Sequence, residues 1–432
     1  MRASHLPRHL RSSNNRSLLT DSEFPTPASH SPLPSFLSYH LPSMDLDSFR
    51  TLLTPAGQKV LVDAAAFEPR EKDFLTDFQS LSKRYPRDLA RAALETAILR
   101  REAVAKFPLA DRMYFTREAL EQATPHAVSA HRAVRFAGFP RILDLACSIG
   151  GDALALATCA PVLGIDHDPL RLAIARANAA ALNLPAHFVH ADLHHLPLSL
   201  HSGMAAFFDP ARRDADGRRA HTVEDYAPPL SVLRAWLPHL PALAVKVSPG
   251  VDLDELDGYD CEIEFVSQDG DLKEAVLWFG PLKTADRRAT LLPGGHTLTD
   301  DHVPDLPTSP PRAFLYEPDA AILRAGLVTT VGAQLNAALL DPQIAYLTAD
   351  SYTPTPYARA WAVEDWMPFS LKRLRETLRE RNVGRLTIKK RGSPLDPDEL
   401  ARDIKLDGPE ERTLFLTHHA GQHIVIIAGQ ML

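Results

Sequence analysis

Between Arg141 and Arg213 short apolar runs recur, and each finishes on an acidic residue. The runs Ile142–Leu145, Val162–Ile165, His187–His190 and Ala205–Phe208 have strand length, and their acids are Asp144, Asp166, Asp192 and Asp209. After the first run come Cys147-Ser148-Ile149-Gly150-Gly151-Asp152, and Ala153, Leu154, Leu156 and Ala157 then open a helical spacing. A strand that breaks at paired glycines and starts a helix predicts a ligand cradle. Glycines let the backbone approach a ligand, and the N–H groups of a helix start favour electron-rich atoms. In an open parallel sheet the carboxyl ends of the strands share one edge. The four acids are therefore expected to line one crevice, with Asp166 where doubly wound folds hold the two hydroxyls of a ribose. Each acid taken alone also suits a helix N-cap or a turn.

The pattern continues with a helix over Pro228–Leu237 and a fifth strand over Ala242–Val247, which puts Lys246 near its carboxyl end. Asp260–Val266 and Leu272–Phe279 read as a hairpin, and the doubly wound domain, 139–281, is expected to end near Gly280. Upstream, Leu89, Ala93, Ala97 and Arg100 with Leu94, Ile98 and Arg101 repeat at helical spacing, and similar patches at Ser48–Ala66 and Phe74–Ser82 predict a helical domain over 44–138. Downstream, 282–311 is rich in Pro, Gly, Asp and Thr, as in a linker or irregular loops, and 312–432 forms a C-terminal region. In it Leu371, Leu374, Leu378 and Val383 predict the apolar face of a helix, and Leu386-Thr387-Ile388 a strand delivering Lys389-Lys390-Arg391.

Composition narrows the chemistry. A chain of 432 residues exceeds one hydrophobic core, so two or three domains are expected. The net charge of −7 gives no general support for nucleic-acid binding, so such a surface has to be local. One local exception exists: 371–391 carries nine Lys or Arg against two Glu. Arg84, Arg87, Arg91, Arg100, Arg101, Lys106, Arg112 and Arg117 form either a second basic strip or a solvated helix face. No apolar run reaches the length of a membrane span. Cys147, Cys159 and Cys261 fit neither a disulfide framework nor a zinc pattern, which suits a reducing cytoplasm, and Cys147 reads as a small residue fitting its turn rather than a catalytic thiol. The pairs His194-His195 and His418-His419 lack a third ligand nearby, so no metal is expected. Residues 1–43, poor in acids and without period, read as disordered or as an extension from a start codon assigned upstream of Met44.

The residues Asp144–Asp152 and Ile165-Asp166-His167-Asp168-Pro169, with Ala173, Ala175, Arg176 and Asn178, resemble class I methyltransferases that use S-adenosylmethionine, and trimethylguanosine synthase among them. Asp209-Pro210-Ala211-Arg212-Arg213, Gly217-Arg218-Arg219 and Tyr226–Leu230 resemble a bacterial methyltransferase group with a THUMP-like C-terminal domain, as do Tyr114–Thr124, Ala313–Asp319 and Lys389–Ser393. A dehydrogenase would carry G-x-G-x-x-G, and the turn here is C-S-I-G-G-D. The resemblance implies an α/β fold: a Rossmann-like seven-stranded doubly wound sheet with an antiparallel last strand, a helical N-terminal domain, and a small α+β C-terminal domain, its THUMP-like part at about 367–432. It implies a cofactor site of Asp144, Cys147, Gly150, Gly151, Asp166 and Asp192, with the glycines facing the methionine part, Asp166 the ribose and Asp192 the adenine amino group.

N-methyltransferases of this class carry a D/N-P-P-aromatic turn after the fourth strand, and here it reads Asp209-Pro210-Ala211-Arg212. Asp209 and Pro210 are the catalytic candidates, Asp209 as the group that positions the acceptor. Arg212 and Arg213 suit a phosphate, or an ion pair with Asp214, Asp216 or Glu224. The THUMP-like resemblance implies RNA contact through Lys389, Lys390 and Arg391. The expected activity is methyl transfer from S-adenosylmethionine to an RNA base; the alternatives are a noncatalytic RNA-binding protein, suggested by the altered turn, and a small-molecule or protein methyltransferase.

Overall fold

The structure, a computed structural model, describes residues 44–196, 201, 203–212 and 220–432. Six helices come first: α1 (Leu46–Leu52), α2 (Pro55–Ala65), α3 (Phe74–Ser82), α4 (Arg87–Ala103), α5 (Arg117–Gln122) and α6 (His126–Ala133). Local chemistry sets their starts. Asp45, Thr54 and Thr116 each accept a backbone N–H from the first turn that follows, and Pro55 supplies a preset first helical residue. The stripe expected on α4 is buried: Leu89, Ala93, Leu94, Ala97 and Ile98 all face the core. Tyr114 and Phe115 are buried as well, in ring contact with Phe49 and Phe107.

The basic strip of this region resolves into internal contacts. Arg84, Arg91, Arg101 and Arg117 pair with carboxylates of the same region, Arg87 lies over Phe78, and Arg100, Lys106 and Arg112 donate to backbone carbonyls.

Next come β1 (Ile142–Leu145), α7 (Gly151–Leu156), β2 (Val162–Asp166), α8 (Pro169–Leu182), β3 (Ala186–His190), β4 (Ala205–Phe208), α9 (Leu233–Trp236), β5 (Ala242–Val247), β6 (Cys261–Gln268) and β7 (Asp271–Phe279). Their order is β3-β2-β1-β4-β5-β7-β6, with β1 to β5 parallel and β7 antiparallel to β5, in a sheet that numbers nine strands rather than the expected seven. This is the doubly wound sheet with an antiparallel last strand. The chain order reverses direction at β1, between β2 and β4, where ligands of such sheets bind.

The chain forms two compact units. The helical residues 44–138 fall in the same unit as the strands, which runs to Glu264 and takes in Lys273–Thr284; the second holds Phe265–Leu272 and Ala285–Leu432. In the second unit, β8 (Arg287–Leu292) and β9 (His296–Thr299) form an antiparallel hairpin inside 282–311, which is thus not irregular throughout. Buried Ala289 and Leu291 share one face of β8 and buried Thr290 lies on the other, so the strand is covered despite its polar sequence.

A seven-stranded sheet follows, built from β10 (Phe314–Pro318), β11 (Ala338–Asp341), β12 (Ile344–Ala349), β13 (Ala358–Pro368), β14 (Val383–Lys390), β15 (Glu410–His419) and β16 (Gln422–Met431) in the order β11-β12-β10-β13-β16-β15-β14. Helices α10 (Ala320–Ala325) and α11 (Val328–Gln334) lie between β10 and β11 in sequence, α12 (Leu371–Glu380) precedes β14, and α13 (Pro397–Ile404) joins β14 to the parallel β15. Leu374 and Leu378 of α12 with Leu400 and Ile404 of α13 cover one sheet face, while Tyr346, Trp361 and Phe415 fill a core with Ile424 and Ile426.

Two expectations about helices change. Val383 is the first residue of β14, not the last apolar position of α12, because Asn382 takes a left-handed φ of 53° and ends the helix. The helix expected over Pro228–Leu237 shrinks to a 3-10 turn at Leu230–Val232 and the single turn α9, since Ala227 and the prolines after it run extended alongside the Asp209 turn. No helix among the described residues is long and apolar enough to cross a membrane.

Gly164 sits opposite Asp144 in the β1–β2 register, and a Cβ there would lie 2.5 Å from Phe188 Cδ1 and 2.9 Å from Cys147 Sγ. Gly164→Ala is expected to lower the stability of this unit by about 1–3 kcal/mol, read as a lower denaturant midpoint at unchanged far-UV signal.

Candidate active site

The turn between β1 and α7 passes through three left-handed residues, Ala146 (φ 64°), Ser148 (φ 48°) and Gly150 (φ 84°). Only glycine adopts this region freely, and a non-glycine residue there costs on the order of 1–3 kcal/mol, so something has to hold the turn. Asp166, buried at the end of β2, does so: its Oδ2 accepts the Ser148 N–H at 2.8 Å and its Oδ1 the Asp168 N–H at 2.9 Å. Asn178 of α8 is the second clamp. Its Oδ1 accepts the Tyr114 N–H at 2.7 Å, and its Nδ2 donates to the carbonyls of Tyr114 and Ile149, both at 3.1 Å. Gly150 is required by its φ. A Cβ on Gly151 would meet Phe107 at an ordinary 3.6 Å, so nothing within the protein demands glycine there.

Asp144 is the third residue of β1 rather than its end, and it is 1 % exposed. Its Oδ2 is buried without a hydrogen-bond partner among the described residues. Burial, then the charges of Asp152 and Asp209, with Asp166 adding to them, push its carboxyl well above the usual range against the pull of Arg132. Asp152, Asp209 and Asp166 thus stand near enough to act on the Asp144 carboxyl. Asp192, two residues beyond β3, is exposed; its Oδ1 accepts the His194 N–H at 2.9 Å, which holds its carboxyl below the usual range. It thus caps a short 3-10 turn, and Asp168 caps α8. The Cys147 thiol is buried and pushed up by burial and by the charges of Asp144 and Asp166, the opposite of what a nucleophilic thiolate needs.

Two cations answer these acids. Arg132 of α6, 1 % exposed, pairs with Asp152, donates to Glu274 of β7 at 2.6 Å and lies over the Phe207 ring at 4.0 Å. Burial works against its charge, but the carboxylates of Glu274 and Asp152 outweigh it and raise its pKa. Lys246 of β5 donates to Asp209 Oδ2 at 2.7 Å and to Thr124 Oγ1 at 2.9 Å. Sequence reading placed Lys246 near this edge but missed Arg132, Glu274 and Thr124; an arginine in a short amphipathic helix gives no signal of its own.

The turn after β4 is pinned by a two-way backbone bridge between Ala211 and Ala227, at 3.1 and 3.0 Å, with Pro210 buried and Arg212 half-buried beside it. Arg213, Asp214 and Asp216 lie outside the described residues. In the second unit, Lys389 pairs with Glu317 and sits 4.9 Å from the Trp361 ring centroid, and Arg391 donates to the Ala345 carbonyl at 3.2 Å and lies over Tyr346. Of the three basic residues at the end of β14, only Lys390 is exposed. The exposed cations of this stretch lie mainly on α12, at Lys372, Arg373 and Arg379.

Residues 142–209 match the methyltransferase domain family, 358–430 the family described as THUMP domain-like, and 45–103 a family of unknown function. Over 342 residues the chain is 38% identical to an uncharacterised S-adenosylmethionine-dependent methyltransferase of Mycobacterium tuberculosis, found in strains CDC 1551 / Oshkosh and ATCC 25618 / H37Rv, with 76% of this chain and 93% of the relative covered. The chain belongs to the S-adenosylmethionine-dependent methyltransferases. A crystal structure of a protein assigned as a methyltransferase from Porphyromonas gingivalis W83 shares the fold, with a TM-score of 0.71 at 22% identity over 86% of this chain and 98% of that one.

The cofactor of this methyltransferase is S-adenosylmethionine, and the crevice fits it. A sulfonium and an ammonium suit a cluster of four carboxylates, one with a buried oxygen still lacking a partner. Gly151, which the protein's own packing leaves free to carry a Cβ, suits close approach of a ligand.

Asp166→Ala is expected to weaken S-adenosylmethionine binding at least about tenfold, since it removes the clamp on Ser148 that shapes the turn; calorimetric titration of the folded variant checks it. Arg132→Ala is expected to destabilise this unit by about 3–5 kcal/mol by leaving Glu274 and Asp152 uncompensated, read by denaturant unfolding.

Proposed function

We propose that this methyltransferase modifies an RNA base, with the crevice of Asp144, Asp166 and Asp192 holding S-adenosylmethionine and Asp209 positioning the acceptor. The observation that carries the RNA reading is the THUMP domain-like match over 358–430, in a unit where an otherwise acidic chain exposes Lys372, Arg373 and Arg379 on one short helix. Such cations contact phosphates without reading sequence, so they fit a role in presenting the substrate rather than choosing the base. Lys389 and Arg391, engaged with Glu317 and Tyr346, fit better as supports of the sheet, and Lys390 remains a candidate contact.

S-adenosylmethionine supplies an activated methyl on its sulfonium, and transfer needs the acceptor lone pair in line with it. No metal and no covalent nucleophile enter that displacement, so the residues have mainly to position and desolvate. Asp209 stands at the carboxyl end of β4 with its side chain a quarter exposed. It would accept a hydrogen bond from an acceptor N–H and so aim the nitrogen lone pair. Gly150 and Gly151 would border the methionine part and Asp192 the adenine amino group. Arg212, beside Asp209 and half-buried, would face a substrate phosphate.

Labelled methyl from S-adenosylmethionine is expected to enter the RNA fraction of a whole extract from cells lacking the gene, and Asp209→Ala to slow it about 100-fold. Label confined to protein or small molecules would overturn the RNA reading, and absence of label in every fraction despite cofactor binding would favour a noncatalytic protein. Replacing Lys372, Arg373 and Arg379 together by Gln is expected to weaken RNA binding and to reduce its log–log salt slope by about 2–3.

A further inference from the structure

Asp209 does not stand alone at the end of β4. The parallel register pairs Phe208 with Val245, so the next residues on each strand, Asp209 and Lys246, lie side by side. Lys246 is 5 % exposed, and its ammonium makes two hydrogen bonds, to Asp209 Oδ2 and to Thr124 Oγ1. Thr124 is equally buried and comes from the helical region, just past α5. Its position is fixed from both sides by one residue. The Lys106 side chain donates to the carbonyls of Leu120, Glu121 and Ala123 at 2.7, 2.8 and 3.0 Å, and the Lys106 carbonyl accepts the His126 N–H at 2.8 Å. A buried ammonium held at two points, one of them anchored in turn, is a rigid support for a carboxylate.

The arrangement divides the two oxygens of Asp209. Oδ2 is taken by Lys246, and Oδ1 accepts no hydrogen bond among the described residues while the side chain stays partly open. We infer that Lys246 and Thr124 are positioning residues for methyl transfer, which fix the rotation of the Asp209 carboxylate so that its second oxygen meets the acceptor. The inference rests on the reading of Asp209 as the acceptor-positioning group. It adds that the helical region supplies part of the acceptor machinery, through a buried threonine that acts by way of Lys246.

The test measures single-turnover methyl transfer into whichever fraction of the gene-deleted extract the unaltered enzyme labels, so it does not depend on the acceptor being RNA. The variants are Lys246→Met, Thr124→Val, Thr124→Ser, Asp209→Asn and the double variant Lys246→Met/Asp209→Asn. Lys246→Met is expected to slow transfer about 100-fold, the scale of a misplaced reacting group. Thr124→Val is expected to slow it about tenfold, and Thr124→Ser to restore it. Cofactor affinity should stay within about twofold in the two Thr124 variants, and Lys246→Met should cost less than about a further twofold in the Asp209→Asn background, because residues acting as a unit are not additive.

If Lys246→Met and Thr124→Val leave the rate unchanged while Asp209→Asn abolishes it, the inference fails and the role of Asp209 stands. If Asp209→Asn is silent, the reading of Asp209 fails and Lys246 cannot act through it. Losses that multiply in the double variant would likewise overturn the inference, by showing that Lys246 acts independently. Should Lys246→Met not fold, Thr124→Val against Thr124→Ser decides the question.

Discussion

A single guanidinium, that of Arg132, joins the parts from which the catalytic unit is made. It comes from α6, reaches the first turn of α7 through Asp152 and the antiparallel strand β7 through Glu274, and rests on Phe207 of β4. A buried charge of this kind adds little net stability compared with an apolar replacement, because desolvation consumes most of the Coulombic gain. What it confers is constraint. Removing any partner strands a charge in the interior, so helix, glycine turn and sheet edge keep one relative arrangement. Its neighbours on the same stretch repeat the device: His131 meets Glu264, and Arg135 meets Glu262 and Glu264.

That constraint bears on the crevice itself. The charges of Asp152, Asp209 and Asp166 bear on the buried Asp144 carboxyl, and Arg132 with Lys246 compensates only part of this acidic cluster. The remaining excess favours a cationic ligand. The left-handed residues of the glycine turn are a related cost, tolerated because Asp166 and Asn178 tie the turn down from opposite sides. Binding and folding are thus opposed locally and reconciled by the surrounding network.

The sheet was legible because its strands are short, mainly apolar runs with sharp ends, and the boundaries of β1, β4 and β5 follow those runs. The acids were legible because an open parallel sheet puts strand ends on one edge. Asp144 shows the limit: its place inside β1 follows from pairing with Gly164, which local sequence does not state. The hairpin β8–β9 escaped notice because Arg-Arg-Ala-Thr and His-Thr-Leu-Thr lack the apolar density of a strand while Pro and Gly surround them. Lys389 and Arg391 looked like a free patch because Glu317, Trp361 and Tyr346, which occupy them, lie far away in the chain. Arg132 and Thr124 are meaningful only through partners that tertiary folding supplies.

Asn178 carries one more implication. By gripping both backbone groups of Tyr114 and the carbonyl of Ile149, it makes the segment before the sheet and the glycine turn share a single fastening. The doubly wound sheet here is therefore not a portable engine to which a helical accessory has been attached. A graft cut between Tyr114 and β1 would sever that fastening, and one cut ahead of α5 would part Lys106 and Phe49 from the segment they hold. Helices and sheet can be rearranged in evolution only together.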